Sequence, residues 1–127
     1  MRYSSRRDAI LRVLSATTSH PDAEWVYRKV RETIPNVSLG TVYRNLREMG
    51  EAGLLETVET ESGQLHFDAD IRPHAHFVCC ECGAISDIFD WPDGHAALLS
   101  RGYFVERIKT VIYGVCPACK ARAEKLS

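Results

Sequence analysis

The 127 residues carry a formal net charge of −1 and are 45% hydrophobic, enough for one or two small cores but not for a large domain. No run of about 18 apolar residues occurs and the opening MRYSSRRDAI is polar, so neither membrane spanning nor secretion is expected. A cytoplasmic, reducing setting is the expectation, in which the five Cys bind metal rather than form disulfides.

The small net charge hides an uneven distribution. Residues 1–47 hold nine basic against four acidic side chains, a balance of +5, whereas 48–71 hold seven acidic and no basic ones. A basic head suggests a polyanionic partner that touches one end of the molecule.

Taken in chain order, Ile10, Leu11 and Leu14 recur at helical spacing between Ser5 and about Ser15. TTSHP breaks that helix, because the residue before Pro21 is pushed out of the α region. Asp22 caps a second helix with Trp25, Val26, Val30 and Ile34 inward, ended by Pro35-Asn36. Ser38 caps a third, in which Leu39, Val42, Leu46 and Met49 share one face. Gly40, Thr41, Arg44 and Arg47 lie largely opposite, with Tyr43 at the border, and Gly50 or Gly53 stops the helix. Two strand-like pieces, 54–60 and 64–67, flank an ESG turn. Three helices and a hairpin are the layout of a winged helix-turn-helix, whose third helix meets base edges with its N-terminal residues.

The composition changes after Asp68. ADIRP, 69–73, reads as a hinge between a DNA-binding domain, 1–68, and a second domain, 74–127. In the second, 74–80 and 84–89 read as strands around a CxxC turn. Pro92 begins a short helix through Leu99, 104–113 alternates as a third strand, and CPAC precedes a charged tail. The fold class expected is α+β, a winged helix followed by a small α/β domain.

Two metal sites follow from alternation along 74–80. His74, His76 and Val78 point one way while Ala75, Phe77 and Cys79 point the other. Cys79-x-x-Cys82 and Cys116-x-x-Cys119 supply four thiolates for one structural, tetrahedral Zn2+ per chain. A redox CxxC is disfavoured because neither pair opens a helix after a strand in a βαβ unit. Cys80 faces away from Cys79 and reads as packing. His74 and His76 begin a second site, to which Asp87, Asp68 and His20 add if they converge. Three imidazoles and two carboxylates form a harder donor set, suited to one Fe2+ or Mn2+ per chain. Such an ion would latch the two domains at one angle. His66 and His95 read as surface residues of the wing and of a helix.

At this point the residues resemble a known family. HPDAEWVY, SLGTVYRNL, GLLE, HFD, HAHFVCCECG, ISD and YGVCPAC are similar to the ferric uptake regulator family from about Arg6 to Cys119. The resemblance implies a winged helix joined to a dimerisation domain, and a metal-loaded homodimer that represses genes from operator DNA. It implies structural zinc on Cys79, Cys82, Cys116 and Cys119. It also implies a regulatory ion on His20, Asp68, His74, His76 and Asp87, and a recognition-helix role for Tyr43. The Asp pair at 68 and 87 is similar to the peroxide-responsive branch, where Fe2+ reacts with peroxide and a ligating His, here His20 or His74, is oxidised. Two features depart from this pattern. Arg44 stands where iron regulators have Arg and peroxide regulators often have Asn. Pro73, Ala75 and a last strand without His leave no third metal site. The N-terminal arm is short, Arg2–Arg7.

The function expected is therefore a metal-dependent repressor, not an enzyme, that binds palindromic double-stranded DNA as a homodimer and senses peroxide. Thr41, Tyr43 and Arg44 are the candidate major-groove residues, Arg6, Arg7 and Arg47 the candidate phosphate or positioning contacts, and Ser38 joins them in the DNA-binding set. Peroxide is the only small molecule expected to act on it, and no membrane partner is expected. The alternatives are an iron-, manganese- or zinc-responsive uptake repressor of the same family and, from another class, a non-haem metalloenzyme whose iron sits on two imidazoles and a carboxylate. Metal-dependent DNA binding separates the regulators from the enzyme.

Overall fold

The computed structural model describes residues 5–126; residues 1–4, and with them Arg2 of the expected arm, lie outside the described residues, as does Ser127. The fold is α+β, and the chain divides into two compact units, Met1–Ile71 and Arg72–Ser127. Among the described residues no helix is long and apolar enough to cross a membrane.

The first unit is three helices and a hairpin: α1 (Ser5–Ser15), α2 (Ala23–Val30), α3 (Leu39–Glu51), β1 (Glu56–Glu59) and β2 (Leu65–Asp68). Asp22 caps α2 by accepting from the Trp25 N–H at 2.9 Å, and Ser38 caps α3 by accepting from the Thr41 N–H at 3.1 Å. Each cap satisfies a backbone donor that the first helical turn leaves over. The apolar faces of the three helices meet in a core of Ile10, Leu14, Val26, Val30, Val42, Leu46 and Met49, closed by Leu55 and Phe67. Burying each such side chain stabilises the unit by about 1.5–3 kcal/mol. Gly53, at φ +78°, terminates α3, and Gly63, at φ +86°, turns the hairpin.

Three expectations need correction here. Leu39 is 39% exposed, and Asn45 is buried in its place, donating to the Thr41 carbonyl at 2.8 Å. Leu39 stands in the first turn of α3, whereas Asn45 satisfies its amide on its own helix. Helix α2 ends at Val30, before Pro35. His20 does leave the α region, but at φ +54° it adopts the left-handed rather than the extended conformation.

The second unit contains β3 (Ala75–Cys79), β4 (Ile85–Ile88), α4 (His95–Ser100), β5 (Thr110–Gly114) and α5 (Pro117–Leu126). The sheet has order β4-β3-β5, with β4 antiparallel and β5 parallel to the central β3. Among the described residues of this unit only Ala75, His76, Val78, Cys79 and Cys119 are buried, while Trp91, Tyr103, Phe104 and Tyr113 are exposed. Strand β5 begins at Thr110 rather than 104, because β3 offers a ladder only from Ala75↔Thr110 to Cys79↔Gly114. Phe104 is instead 85% exposed. Helix α4 starts at His95 rather than Pro92: Gly94 takes φ +80° and the Asp93 carboxylate accepts from the His95 N–H at 2.9 Å. The charged tail is helical, with Pro117 at its first position and good helix formers behind it.

Candidate metal centres

Strand β3 carries donor groups at both ends, and its neighbours complete each set. At its C-terminal end the Cys79–Cys82 turn is closed by Gly83, at φ +77°, whose N–H donates to the Cys79 carbonyl at 3.0 Å. Parallel β5 sets Gly114 beside Cys79, and Cys116 follows two residues on. A side chain at Gly114 would press on the Phe77 ring, whose Cζ lies 3.0 Å from the position of its Cβ. Cys119 comes round on the first turn of α5.

The four sulfur atoms of Cys79, Cys82, Cys116 and Cys119 all lie within 4.8 Å of one another, and Cys82 Sγ is 3.9 Å from Cys116 Sγ. Zinc–sulfur bonds of about 2.3 Å in a tetrahedron place sulfurs ~3.8 Å apart, so this cluster has the size of a zinc thiolate site. Its electrostatics fit as well. The backbone N–H groups of Cys82 and Cys116 donate to Cys79 Sγ at 3.5 and 3.3 Å, and lower its pKa to about 6. Arg122 donates to Cys119 Sγ at 2.9 Å and favours its thiolate, but burial and the three neighbouring sulfurs outweigh that and push it up to about 12. Four thiols this close cannot all ionise without a cation among them.

The second CxxC opens α5 soon after β5. No strand follows α5 among the described residues, so there is no βαβ unit. Cys80 is exposed rather than packed. Its backbone N–H donates to the Gly114 carbonyl at 2.7 Å, and it stands outside the four-sulfur cluster.

The other end of β3 is built from nitrogen and oxygen. The antiparallel register sets Asp87 of β4 opposite His76. Its Oδ1 lies 3.1 Å from His74 Nε2 and 3.3 Å from His76 Nε2, and the two nitrogens are 3.0 Å apart. Donors bound at ~2.1 Å on adjacent octahedral positions lie about 3 Å apart, which is this spacing. The His74 Nδ1–H donates to the Arg72 carbonyl at 2.6 Å, and so leaves Nε2 with its lone pair for a cation. The Phe89 ring stacks on His74 with centroids 4.7 Å apart, and the Arg72 guanidinium lies over the Phe89 ring. The His74 side chain is shielded from solvent, although the residue as a whole is half-buried.

The first unit holds a pair of the same chemistry. His20 Nε2 lies 3.4 Å from Asp68 Oδ2, with both side chains largely buried. His66 is half-buried rather than a wing surface residue, and its Nδ1–H donates to the His20 carbonyl at 2.7 Å. The sequence did not single out His66, Arg72 or Phe89 as part of a site; for His66 the signal was available, since residues 66 and 68 share a strand face. His95 is exposed.

On α3, Tyr43, Arg44 and Arg47 are exposed, and the Ser38 hydroxyl donates to that of Thr41 at 2.9 Å. Arg6 is exposed. Arg7 is paired with Glu48 at 3.2 Å, which joins α1 to α3.

The sequence model of the Ferric uptake regulator family matches residues 1–93. The Peroxide-responsive repressor PerR of Staphylococcus epidermidis is 32% identical over 124 residues, 94% of this chain and 82% of that protein. Among solved structures, the Campylobacter jejuni peroxide stress regulator superposes with a TM-score of 0.76 at 27% identity, covering 90% of this chain and 88% of that one. The ferric uptake regulator of Pseudomonas aeruginosa, solved with manganese, superposes with a TM-score of 0.77 at 28% identity, covering 92% and 91%.

Proposed function

Because the chain belongs to the ferric uptake regulator family, we propose that it is a metal-gated transcriptional repressor that binds palindromic operator DNA as a homodimer and responds to peroxide. The observation that carries this reading is the convergence of His74 Nε2, His76 Nε2 and Asp87 Oδ1 within 3.0–3.3 Å of one another. A thiolate cluster at the opposite end of the same strand provides for a different metal.

Cys79, Cys82, Cys116 and Cys119 hold a structural Zn2+. His74, His76 and Asp87, with His20 and Asp68, would hold a regulatory Fe2+ or Mn2+. A set of two or three imidazoles with carboxylates suits these borderline and hard ions better than thiolates do. In the metal-loaded homodimer the paired α3 helices would match successive major grooves of a palindromic operator. A shift from mostly open to mostly closed needs a preference of about 5.5 kcal/mol. Tyr43, Arg44 and Thr41 face the bases, Arg6 and Arg47 the phosphates, and Ser38 holds the N-terminal turn of α3 in register. The exposed Trp91, Tyr103, Phe104 and Tyr113 on a unit with so few buried residues support a second copy as the partner.

Peroxide sensing is supported by Asp at 68 and 87 and by the similarity to peroxide-responsive proteins. Its chemistry is the net transfer of one oxygen atom from peroxide to the imidazole of His20 or His74, with water leaving. The oxidised ring loses its ligand geometry, and the repressor releases DNA in the cytoplasm. Iron-responsive repression is the second reading, favoured by Arg44 and by the similarity to the Pseudomonas regulator.

The test is a gel shift with the operator upstream of its own gene, with and without Mn2+, for wild type and Asp68→Ala. The variant should lose metal-dependent binding while retaining zinc; unchanged metal dependence would refute the latch. Peroxide added to the Fe2+-loaded protein should add one oxygen to the His20 or His74 peptide and leave the Mn2+ form intact. Intact peptides in both forms would leave iron sensing as the reading.

A further inference from the structure

Strand β2 addresses His20 from two positions. His66 and Asp68 stand two residues apart and so project from one face of the strand. His66 donates its Nδ1–H to the His20 carbonyl at 2.7 Å, and the Asp68 carboxylate meets the His20 ring at 3.4 Å. The residues after His20 are tied to the same strand. The Phe67 N–H donates to the Pro21 carbonyl at 2.9 Å, and the Gln64 amide donates to Asp22 at 2.7 Å. Asp22 also forms an isolated β-bridge with His66.

His20 itself is 4% exposed and sits at φ +54°. A non-glycine residue holds that conformation only where its surroundings over-determine it. Extended backbone, the ordinary state before proline, would turn both the carbonyl and the side chain elsewhere. The His66 hydrogen bond therefore selects the backbone that aims Nε2 at Asp68.

We propose that His66 is a positioning residue for the regulatory cation, acting through the carbonyl of His20. The inference rests on the reading of His20 and Asp68 as ligands given above. Metal ligands depend on such outer hydrogen bonds, and His66 holds its ligand by the main chain rather than by the ring. Because the grip and the carboxylate share one strand, β2 positions His20 and Asp68 together.

The experiment is a Mn2+ titration of the full-length, zinc-loaded protein for wild type, His66→Phe, His66→Asn, His20→Ala and the His66→Phe/His20→Ala double variant. His66→Phe keeps an aromatic of similar size without the donor and should weaken Mn2+ binding roughly 10- to 100-fold. His66→Asn keeps a donor at the Nδ1 position and should restore most of the affinity. In the His20→Ala background, His66→Phe should add little, a non-additivity that a merely structural role would not produce. If Phe at this position unfolds the protein, His66→Gln takes its place, since its amide reaches the Nε2 position and should fail where Asn succeeds. Wild-type affinity in His66→Phe, or equal behaviour of Asn and Gln, would overturn the inference and leave the ligand reading standing. Mn2+ binding by the wild type that is indifferent to His20→Ala would take down both.

Discussion

Replacement of Cys119 by Ser tests the zinc assignment through stability. The second unit buries few apolar side chains, with Val78 the largest aliphatic among them, and full burial of one such residue stabilises by only about 1.5–3 kcal/mol. A structural zinc contributes roughly 10–16 kcal/mol of apparent binding energy in small domains, which outweighs the burial of any one of these side chains. Losing one of four thiolates removes about a quarter, on the order of 3 kcal/mol, or two orders of magnitude in zinc affinity. Cys119 is buried beside Arg122 and the other three sulfurs, a setting that an incoming water would have to enter to replace it as a ligand. The assay is zinc competition with a chromophoric chelator, followed by thermal melting with separate probes on each unit. The second unit should melt at lower temperature while the first, with its own apolar core, holds its transition. Cys80→Ser is the matched control and should leave zinc in place, because Cys80 stands outside the cluster. A Cys119→Ser variant that retains zinc and an unchanged second transition would refute the assignment.

Other outcomes follow from particular contacts. Phe89→Ala removes the ring stacked on His74 and should weaken Mn2+ binding severalfold, with Phe89→Tyr close to wild type in the same titration. Gly114→Ala forces a Cβ to within 3.0 Å of Phe77 beside Cys79 and should destabilise the second unit by about 1–3 kcal/mol, read by denaturant unfolding. Phe67→Ala, at the closure of the helical core, should destabilise the first unit by about 3–5 kcal/mol. Asp22→Ala removes the cap of α2 and should cost about 1 kcal/mol, seen as a lower denaturation midpoint with unaltered slope.

The local features were legible because they depend on few neighbours. Helical periodicity marked Ile10, Leu14, Val26, Val42 and Leu46 as core, and Asp22, Ser38 and Gly63 announced their caps and turn by chemistry that acts within four residues. The paired CxxC motifs and the His74–Ala75–His76 alternation likewise named two donor sets of different hardness. Helix α5 was within reach as well, since its Ala, Lys and Glu content favours a helix over a loose charged tail.

Tertiary structure decided whatever depended on who stands opposite whom. Strand register, and not spacing along the chain, brings Asp87 to His76 and Gly114 to Cys79. The alternation through 104–109 formed no strand because the five residues of β3 are paired out by Thr110–Gly114. Arg7 was taken up by Glu48, 41 residues away, and His66 by the carbonyl of His20, 46 residues away. Periodicity encodes which face of an element is buried. It says nothing of which element packs against that face, and in this chain the ligand geometry is set by that second choice.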